Sequence, residues 1–311
     1  MTTNNLMDNN LANTLISDTL PNSLTNNELQ ALASLLDEDD KEILTVIEKQ
    51  IYALGFQMIP FLELEQAKYQ ENQRENRQEN KNRETTYKRI QKILSHLQYN
   101  LLLERLRVWR ENEQEDLLKG LWIIASYQYP NLSLDSLKIE LEQLYYEVWQ
   151  VLRDNLHPYD QVKIMNSIVF GKLRFKVNTD FQAIDNSMIN KVLETKLGNP
   201  IGLCCVYLLI AEKLKLPIYG VNLPNIFIVT YQTDIHNFYI NVSNKGVILN
   251  RGDLDNYIEQ LSIPASNSYY EPCKNIDILK RILRNLGYAF EKQNQLPHMT
   301  VIKQLLEILT V

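Results

Sequence analysis

The sequence predicts a mostly helical α+β fold, in which one buried helix packs against a small antiparallel sheet. Glycine accounts for only 9 of the 311 residues, which favours helices over turn-rich sheet. Apolar residues recur at steps of three and four through most of the chain, as they do in amphipathic helices. Short runs of β-forming residues are confined to residues 217–250. These observations predict a helical protein with one small sheet.

Changes in composition divide the chain into four predicted parts. Residues 1–27 are rich in Asn and Thr and have no sustained apolar period, which predicts disorder. Residues 28–155 are predicted to form a helical, HEAT-like region with a polar insertion at about 66–86. The insertion consists of good helix formers without an apolar stripe, so it is either a solvated helical extension or a mobile segment. The β-type runs define a domain at 156–265, and residues 266–311 predict a helical hairpin.

In the helical region, an acidic run at residues 37–40 precedes an amphipathic segment. Leu44, Ile47 and Ile51 mark the apolar face of this segment, and Gly55 is placed to end the helix. Acidic side chains are favoured at a helix start, so we predict a capping role for them. A metal site is the alternative, but no second group of ligands stands nearby. We therefore predict neither a metal nor a cofactor.

The predicted core begins with residues 200–215, which are apolar nearly all round and predict a buried helix. Four β-type runs follow, and the segments QTDIH and NKG can form turns between them. The runs are PIYGVN, IFIVTY (226–231), NFYINV (237–242) and GVILN (246–250). This order predicts an antiparallel meander packed on the helix.

Two adjacent cysteines near the start of this helix raise the question of a nucleophile. With Asn199 as N-cap and Pro200 at the first helical position, Cys204 and Cys205 lie more than one turn inside the helix. The helix dipole lowers the pKa of a thiol only within the first turn. We therefore predict that both cysteines are core-packing residues. Cys273 has no identifiable base beside it, so a structural role is predicted for it too.

The stretches VLETKLGNPIGLCCVYLLIAEKLKLPIYGVNLPNIF and FYINVSNKG resemble the bacterial transglutaminase-like proteins of the SirB kind. The resemblance covers roughly residues 160–260. It implies a transglutaminase-like core flanked by helical segments. In catalytically competent members of the wider superfamily, a Cys begins the buried helix, a His lies on one strand and an Asp on the next. The thiolate attacks an amide carbonyl, the His transfers protons, and the Asp orients the His.

The resemblance assigns different residues to all three of these positions in this chain. Pro200 stands where the Cys would be, Ile226 where the His would be, and Asn241 where the Asp would be. Proline and isoleucine can neither attack nor transfer a proton, and asparagine carries no charge. We expect these three residues to converge as a vestigial cleft without catalytic residues.

Around this cleft, the resemblance makes Asn225, Phe227 and Tyr239 the candidate binding residues, in a region suited to packing or to a partner's side chain. His236, the nearby histidine, falls in the turn after the strand that would supply the base, and we expect it to be exposed. His96 and His157 lack a ligand at metal-binding spacing, so surface or core packing is predicted for them.

These observations predict a non-catalytic transglutaminase-like protein of bacterial type that binds protein or acts as a regulatory scaffold. The alternative is a protease-, amidase- or transglutaminase-like enzyme that uses an unrecognised set of residues. A net charge of −6 argues against nucleic acid and anionic membranes as partners. We expect a cytoplasmic protein, because no apolar run reaches eighteen residues, no secretory signal is visible, and three cysteines make no disulfide framework.

Overall fold

A computed structural model describes residues 24–75, 81–153, 155–264 and 266–310. Internal contacts divide the chain into two compact units, one up to Leu101 and one from Leu102 onward. Most of the segment predicted to be disordered lies outside the described residues. Its last two residues, however, begin a helix at Asn26, for which Thr25 forms the capping box. The other predicted domain limits stay predictions.

Helices account for 69% of the described structure. The α-helices are α1 (Asn26–Ser34), α2 (Lys41–Leu54), α3 (Ile59–Glu75), α4 (Lys81–Asn112), α5 (Leu117–Ser126), α6 (Leu134–Trp149), α7 (Pro158–Asn166), α8 (Ile189–Thr195), α9 (Pro200–Lys213), α10 (Arg251–Gln260), α11 (Asn275–Lys292) and α12 (Leu296–Thr310). Among these described helices, none has both the length and the apolar content needed to cross a bilayer. The break predicted near Pro297 falls just before it, because proline is tolerated in the first turn of a helix.

The first unit is built from α1, α2, α3 and the first part of α4, which share one apolar core. The Asp40 carboxylate accepts hydrogen bonds from the backbone N–H groups of Glu42 at 2.8 Å and Ile43 at 3.2 Å. This confirms that the acidic run caps α2. Gly55 ends the helix with a φ of 60°, a conformation that strongly favours glycine.

The polar stretch predicted as an insertion continues α3 and begins α4. The two helices run antiparallel, since Gln98 Nε2 donates to Glu63 Oε1 and Gln70 Nε2 donates to the Tyr87 hydroxyl, both at 3.0 Å. Thr86 is 5% exposed. The helical alternative therefore applies to the described part of this stretch. It is only partly solvated, because Gln70 bonds to the facing helix and Tyr69 packs against the apolar core of the first unit.

The second unit contains both of the described sheets. A short parallel pair joins β1 (Lys176–Val177) to β2 (Leu197–Gly198). The main sheet is an antiparallel meander of β3 (Ile218–Val221), β4 (Ile228–Gln232), β5 (Asn237–Asn241) and β6 (Val247–Leu249), in that spatial order. This confirms the predicted fold class and the meander, with each strand close to its predicted β-type run.

The two faces of the main sheet pack against different elements. On one face, Val221, Ile228 and Tyr239 pack with Leu254 and Ile258 of α10. Residues between these positions point to the other face, because side chains alternate along a strand. On that other face, the Phe238 ring stacks on Tyr231 of β4 at 5.1 Å and on Tyr159 of α7 at 4.4 Å. Helix α9 packs against β3 and β4, and its residues Ile201–Ala211 are all buried, as predicted.

Candidate functional site

The start of α9 is the position at which the resemblance places a nucleophile. Asn199 is the N-cap, as predicted, and its Oδ1 atom accepts from the backbone N–H of Gly202 at 2.8 Å. Pro200 occupies the first helical position, where its missing N–H removes no helical hydrogen bond. The start of this helix therefore has no thiol, and the side chain of its N-cap residue already accepts a hydrogen bond from the helix.

A loop of the same chain, which ends in a short 3-10 helix (Ile184–Ser187), packs closely against the first turn of α9. Asn199 Nδ2 donates to the Ser187 hydroxyl at 2.7 Å, and the Asn199 N–H donates to the Asn186 carbonyl at 3.2 Å. A Cβ atom at Gly202 would lie 2.5 Å from that same carbonyl oxygen. The approach is thus possible only because position 202 has no side chain. This loop restricts access to the helix start.

Asn186 and Ser187 lie just before α8 but do not cap it. Both are buried, and α8 starts with Met188 as N-cap and no side-chain cap. The Asn186 amide accepts from Asn178 Nδ2 at 2.7 Å and donates to the Asp180 carbonyl at 2.6 Å. These bonds hold the loop against α9. Periodicity in the sequence gave no signal for this network, because its partners belong to irregular segments.

Both cysteines of α9 lie in the core, as predicted. Cys204 is 0% and Cys205 1% exposed. Burial, followed by interactions with the other thiols, raises the pKa of each well above its ordinary value. Cys273 is partly exposed, and burial followed by the charge of Asp277 raises its pKa to about 12. All three therefore stay protonated near neutral pH, where a nucleophilic cysteine needs its thiolate.

Ile226, at the histidine position, lies in the loop before β4 rather than on a strand. The prediction of a strand at this residue was wrong, since β4 begins at Ile228. The reason is local: Asn225 adopts a φ of 63°, which interrupts an extended conformation. The half-buried Ile226 packs against the apolar cluster between the sheet and α10.

Asn241, at the aspartate position, is the last residue of β5, as predicted. Its Oδ1 atom accepts from the Ser243 hydroxyl at 2.7 Å and from the Asn244 N–H at 3.2 Å. The side chain therefore caps the turn that leads into β6. An amide in this role stabilises the turn instead of orienting a base.

The three positions lie on three different elements, and their convergence stays a prediction. One contact supports it: the Cys204 thiol, in the second turn of α9, donates to the carbonyl of Phe227 at 3.5 Å. Phe227 directly follows Ile226, and Pro200 is about 6 Å along the helix axis from Cys204. Because Ile240 pairs with Val229 in the antiparallel register, Asn241 lies opposite Ile228, two residues after Ile226.

Two of the three candidate binding residues are buried. Phe227 is 1% exposed and Tyr239 2% exposed, and the Tyr239 hydroxyl donates to the carbonyl of Tyr270 at 3.1 Å. These two side chains belong to the core, so they cannot contact a partner in this conformation. Asn225 is exposed. Phe227 is buried in the loop before β4, and Tyr239 is buried on the face of β5 that α10 covers.

The contacts of His96, His157 and His236 are with residues outside α9. His236 lies in the turn after β4, as predicted, but it is half-buried, with its ring 5.0 Å from that of His157. His157 caps α7, and the ring of His96 packs against Tyr52 at 5.4 Å. Among the described residues, no group of three His, Cys, Asp or Glu side chains could hold a metal ion.

Comparison with known proteins identifies the class to which this domain belongs. Residues 135–284 match the family model described as the transglutaminase-like superfamily. This part of the chain is therefore a transglutaminase-like domain, as the resemblance implied. It is distantly related to the bacterial UPF0162 proteins.

Three relatives show the extent of the similarity. A UPF0162 protein of Xylella fastidiosa (strain 9a5c) is 29% identical over 194 residues, which cover 60% of this chain and 68% of that protein. The UPF0162 protein YchA of Escherichia coli (strain K12) is 22% identical over 161 residues, covering 50% of this chain and 60% of that protein. F-box only protein 21 of Homo sapiens is 25% identical over 228 residues, or 63% of this chain and 36% of that protein. No solved structure matches the chain at comparable significance.

Proposed function

We propose that this protein is a non-catalytic, protein-binding or regulatory scaffold built on a transglutaminase-like domain. The proposal is supported by the residue types at the three positions that the resemblance assigns to the nucleophile, the base and the orienting acid, which are Pro200 at the helix start, Ile226 before β4 and Asn241 at the end of β5. The nearby thiols offer no substitute, because burial raises the pKa of Cys204 and Cys205. An enzyme of this class needs an activated nucleophile with a base in reach.

A surface on α6 supports a binding role. Ile139, Tyr146 and Trp149 are 62%, 47% and 54% exposed, and they follow one another at helical spacings of seven and three. The rings of Tyr146 and Trp149 are 6.2 Å apart, edge to face. Exposed aromatic side chains grouped on one face mark sites of protein–protein contact. We propose that the apolar surface of a partner protein packs on this α6 face, and that the complex forms in the cytoplasm.

The first test addresses catalysis. Purified protein is assayed for hydrolysis and for amine transfer on peptide glutamine and backbone amides, with an active transglutaminase as the positive control. We expect no turnover above the uncatalysed rate. Turnover that is abolished by Cys204→Ala, Cys205→Ala or Cys273→Ala would show that the protein is an enzyme, and would overturn the proposal.

The second test addresses binding at the α6 face. Partners are captured from the native host with the unmodified protein, with Trp149→Glu and with Phe181→Glu. Phe181 is the control because it is 71% exposed but lies in a loop outside α6. We expect a partner to be captured by the unmodified protein and the control, and to be lost with Trp149→Glu. Equal capture by all three proteins would contradict a contact at this face.

A further inference from the structure

Helix α11 presents a cluster of basic side chains that form no ion pair with the acidic side chains the structure describes. Lys280, Arg281 and Arg284 lie within five residues of one another. Ion pairs between the described residues involve none of the three.

Arg281 is the half-buried member of this cluster, and it faces the loop that carries the histidine position. One of its terminal nitrogens, Nη1, donates to Asn222 Oδ1 at 3.3 Å and to the Leu223 carbonyl at 3.5 Å. Two residues further along this loop is Asn225, and the Tyr257 hydroxyl of α10 donates to the Pro224 carbonyl at 3.0 Å. Both contacts of Arg281 are long and both are to neutral acceptors. They therefore satisfy its charge poorly.

The electrostatic setting is unfavourable without a further anion. Burial, followed by the charge of Arg284, lowers the pKa of Arg281 below its ordinary value. A half-buried cation next to a like charge is destabilising unless a counter-ion compensates it. Among the described residues, the Nε and Nη2 atoms of Arg281 have no hydrogen-bond partner. These two atoms form one complete edge of the guanidinium group.

We propose that Arg281 and Arg284 form a binding site for a carboxylate group of a peptide ligand. A carboxylate presents two oxygens in one plane, which match a single guanidinium edge with two parallel hydrogen bonds. Arg284 adds a second positive charge at the rim. The proposal rests on the protein-binding function, and it specifies the chemistry of the partner.

The experiment compares two small probes that differ in their charge. N-acetyl-leucine carries a carboxylate, and N-acetyl-leucinamide carries a neutral amide in its place. Binding is followed by the side-chain Nε–Hε resonances of ¹⁵N-labelled arginine and by the thermal unfolding midpoint. We expect N-acetyl-leucine to shift the Arg281 resonance saturably and to raise the midpoint, with N-acetyl-leucinamide having no effect. Equal effects of the two probes, or no effect of either, would overturn the proposal.

Three variants assign the effect to this site. Arg281→Met keeps the length of the side chain and loses its charge. Without carboxylate or phosphate in the buffer, its thermal unfolding midpoint should be unchanged or higher. It should bind N-acetyl-leucine at least about tenfold more weakly. Arg281→Lys keeps the charge without the planar edge and should bind with intermediate affinity. Arg153→Gln, at an exposed arginine elsewhere, should bind as the unmodified protein does. Retained binding by Arg281→Met would contradict the site.

Inorganic phosphate is the third probe. Binding of phosphate as tight as that of N-acetyl-leucine would show that the site does not select a carboxylate, and would overturn the choice of ligand. The results of these binding experiments are independent of the tests of the proposed function. Failure of both probes removes the carboxylate site but leaves the absence of turnover and the α6 contact as they stand.

Discussion

At the scale of single residues, the positions that the resemblance assigns to the nucleophile, the base and the orienting acid carry Pro200, Ile226 and Asn241. Proline at the helix start cannot act as a nucleophile, but it suits the first turn of α9. Asparagine at the end of β5 keeps the hydrogen-bonding capacity of an aspartate and uses it for a turn. Pro200 and Asn241 thus each have a local structural role.

The reactivity of the three thiols gives a prediction at this scale. At pH 8, iodoacetamide should modify Cys273 before Cys204 and Cys205, because Cys273 alone is partly exposed. Even Cys273 should react far more slowly than a free cysteine, since a pKa of about 12 leaves little thiolate. The rate at each site is measured by peptide mass spectrometry.

The unfolded protein in urea is the control for this labelling, and all three thiols should then react quickly and alike. Rapid modification of Cys204 or Cys205 in the folded protein would show that α9 is accessible, and the argument against a thiol nucleophile would fail.

At the scale of elements, the position of α9 depends on close contact between the helix and a loop. The carbonyl of Asn186 touches the helix where Gly202 has no side chain. At the other end of the contact surface, the Tyr207 hydroxyl of α9 donates to Asn166 Oδ1 at 3.0 Å, and Asn166 Nδ2 donates to the Gly246 carbonyl at 2.8 Å. These contacts tie the buried helix to the loop before it and to the turn before β6.

A glycine substitution tests this packing. In Gly202→Ala the new Cβ would lie 2.5 Å from the Asn186 oxygen, so the loop must move. We expect a loss of about 1–3 kcal/mol in the free energy of unfolding, typical of overpacking. The loss is measured by urea denaturation.

Gly171→Ala is the matched control, because a Cβ there would meet no atom within 4 Å. It should leave the stability within about 0.5 kcal/mol of the unmodified protein, or raise it slightly. Equal stability of the two variants would mean that the loop does not press on α9.

At the scale of the whole molecule, the two units have different cores. The first is formed by amphipathic helices, each with one apolar face. The second is organised around α9, which is buried on all sides between the sheet and other helices. A helix enclosed in this way can expose its backbone only if the surrounding unit opens.

Hydrogen exchange should therefore be slowest in α9. Peptides covering 200–213 should exchange only with unfolding of the second unit, while the exposed residues 233–235 of the turn after β4 should exchange early. The measurement is native-state exchange followed by mass spectrometry, with the urea dependence of each rate. Early exchange in 200–213 would show that this helix is not the centre of the core.

The sequence by itself determined the helical character of the chain, the antiparallel meander, and the burial of α9 and its cysteines. Those features depend on periodicity, caps and turn residues, which act over a few neighbouring positions. It also identified the superfamily, because the motifs around GNPIG and FYINV lie in continuous stretches. Only the tertiary structure decided that Phe227 and Tyr239 are core residues, that Asn186 and Ser187 brace α9, and that Arg281 faces the loop of Ile226. Each of these depends on contacts between residues distant in the chain, for which local patterns carry no information.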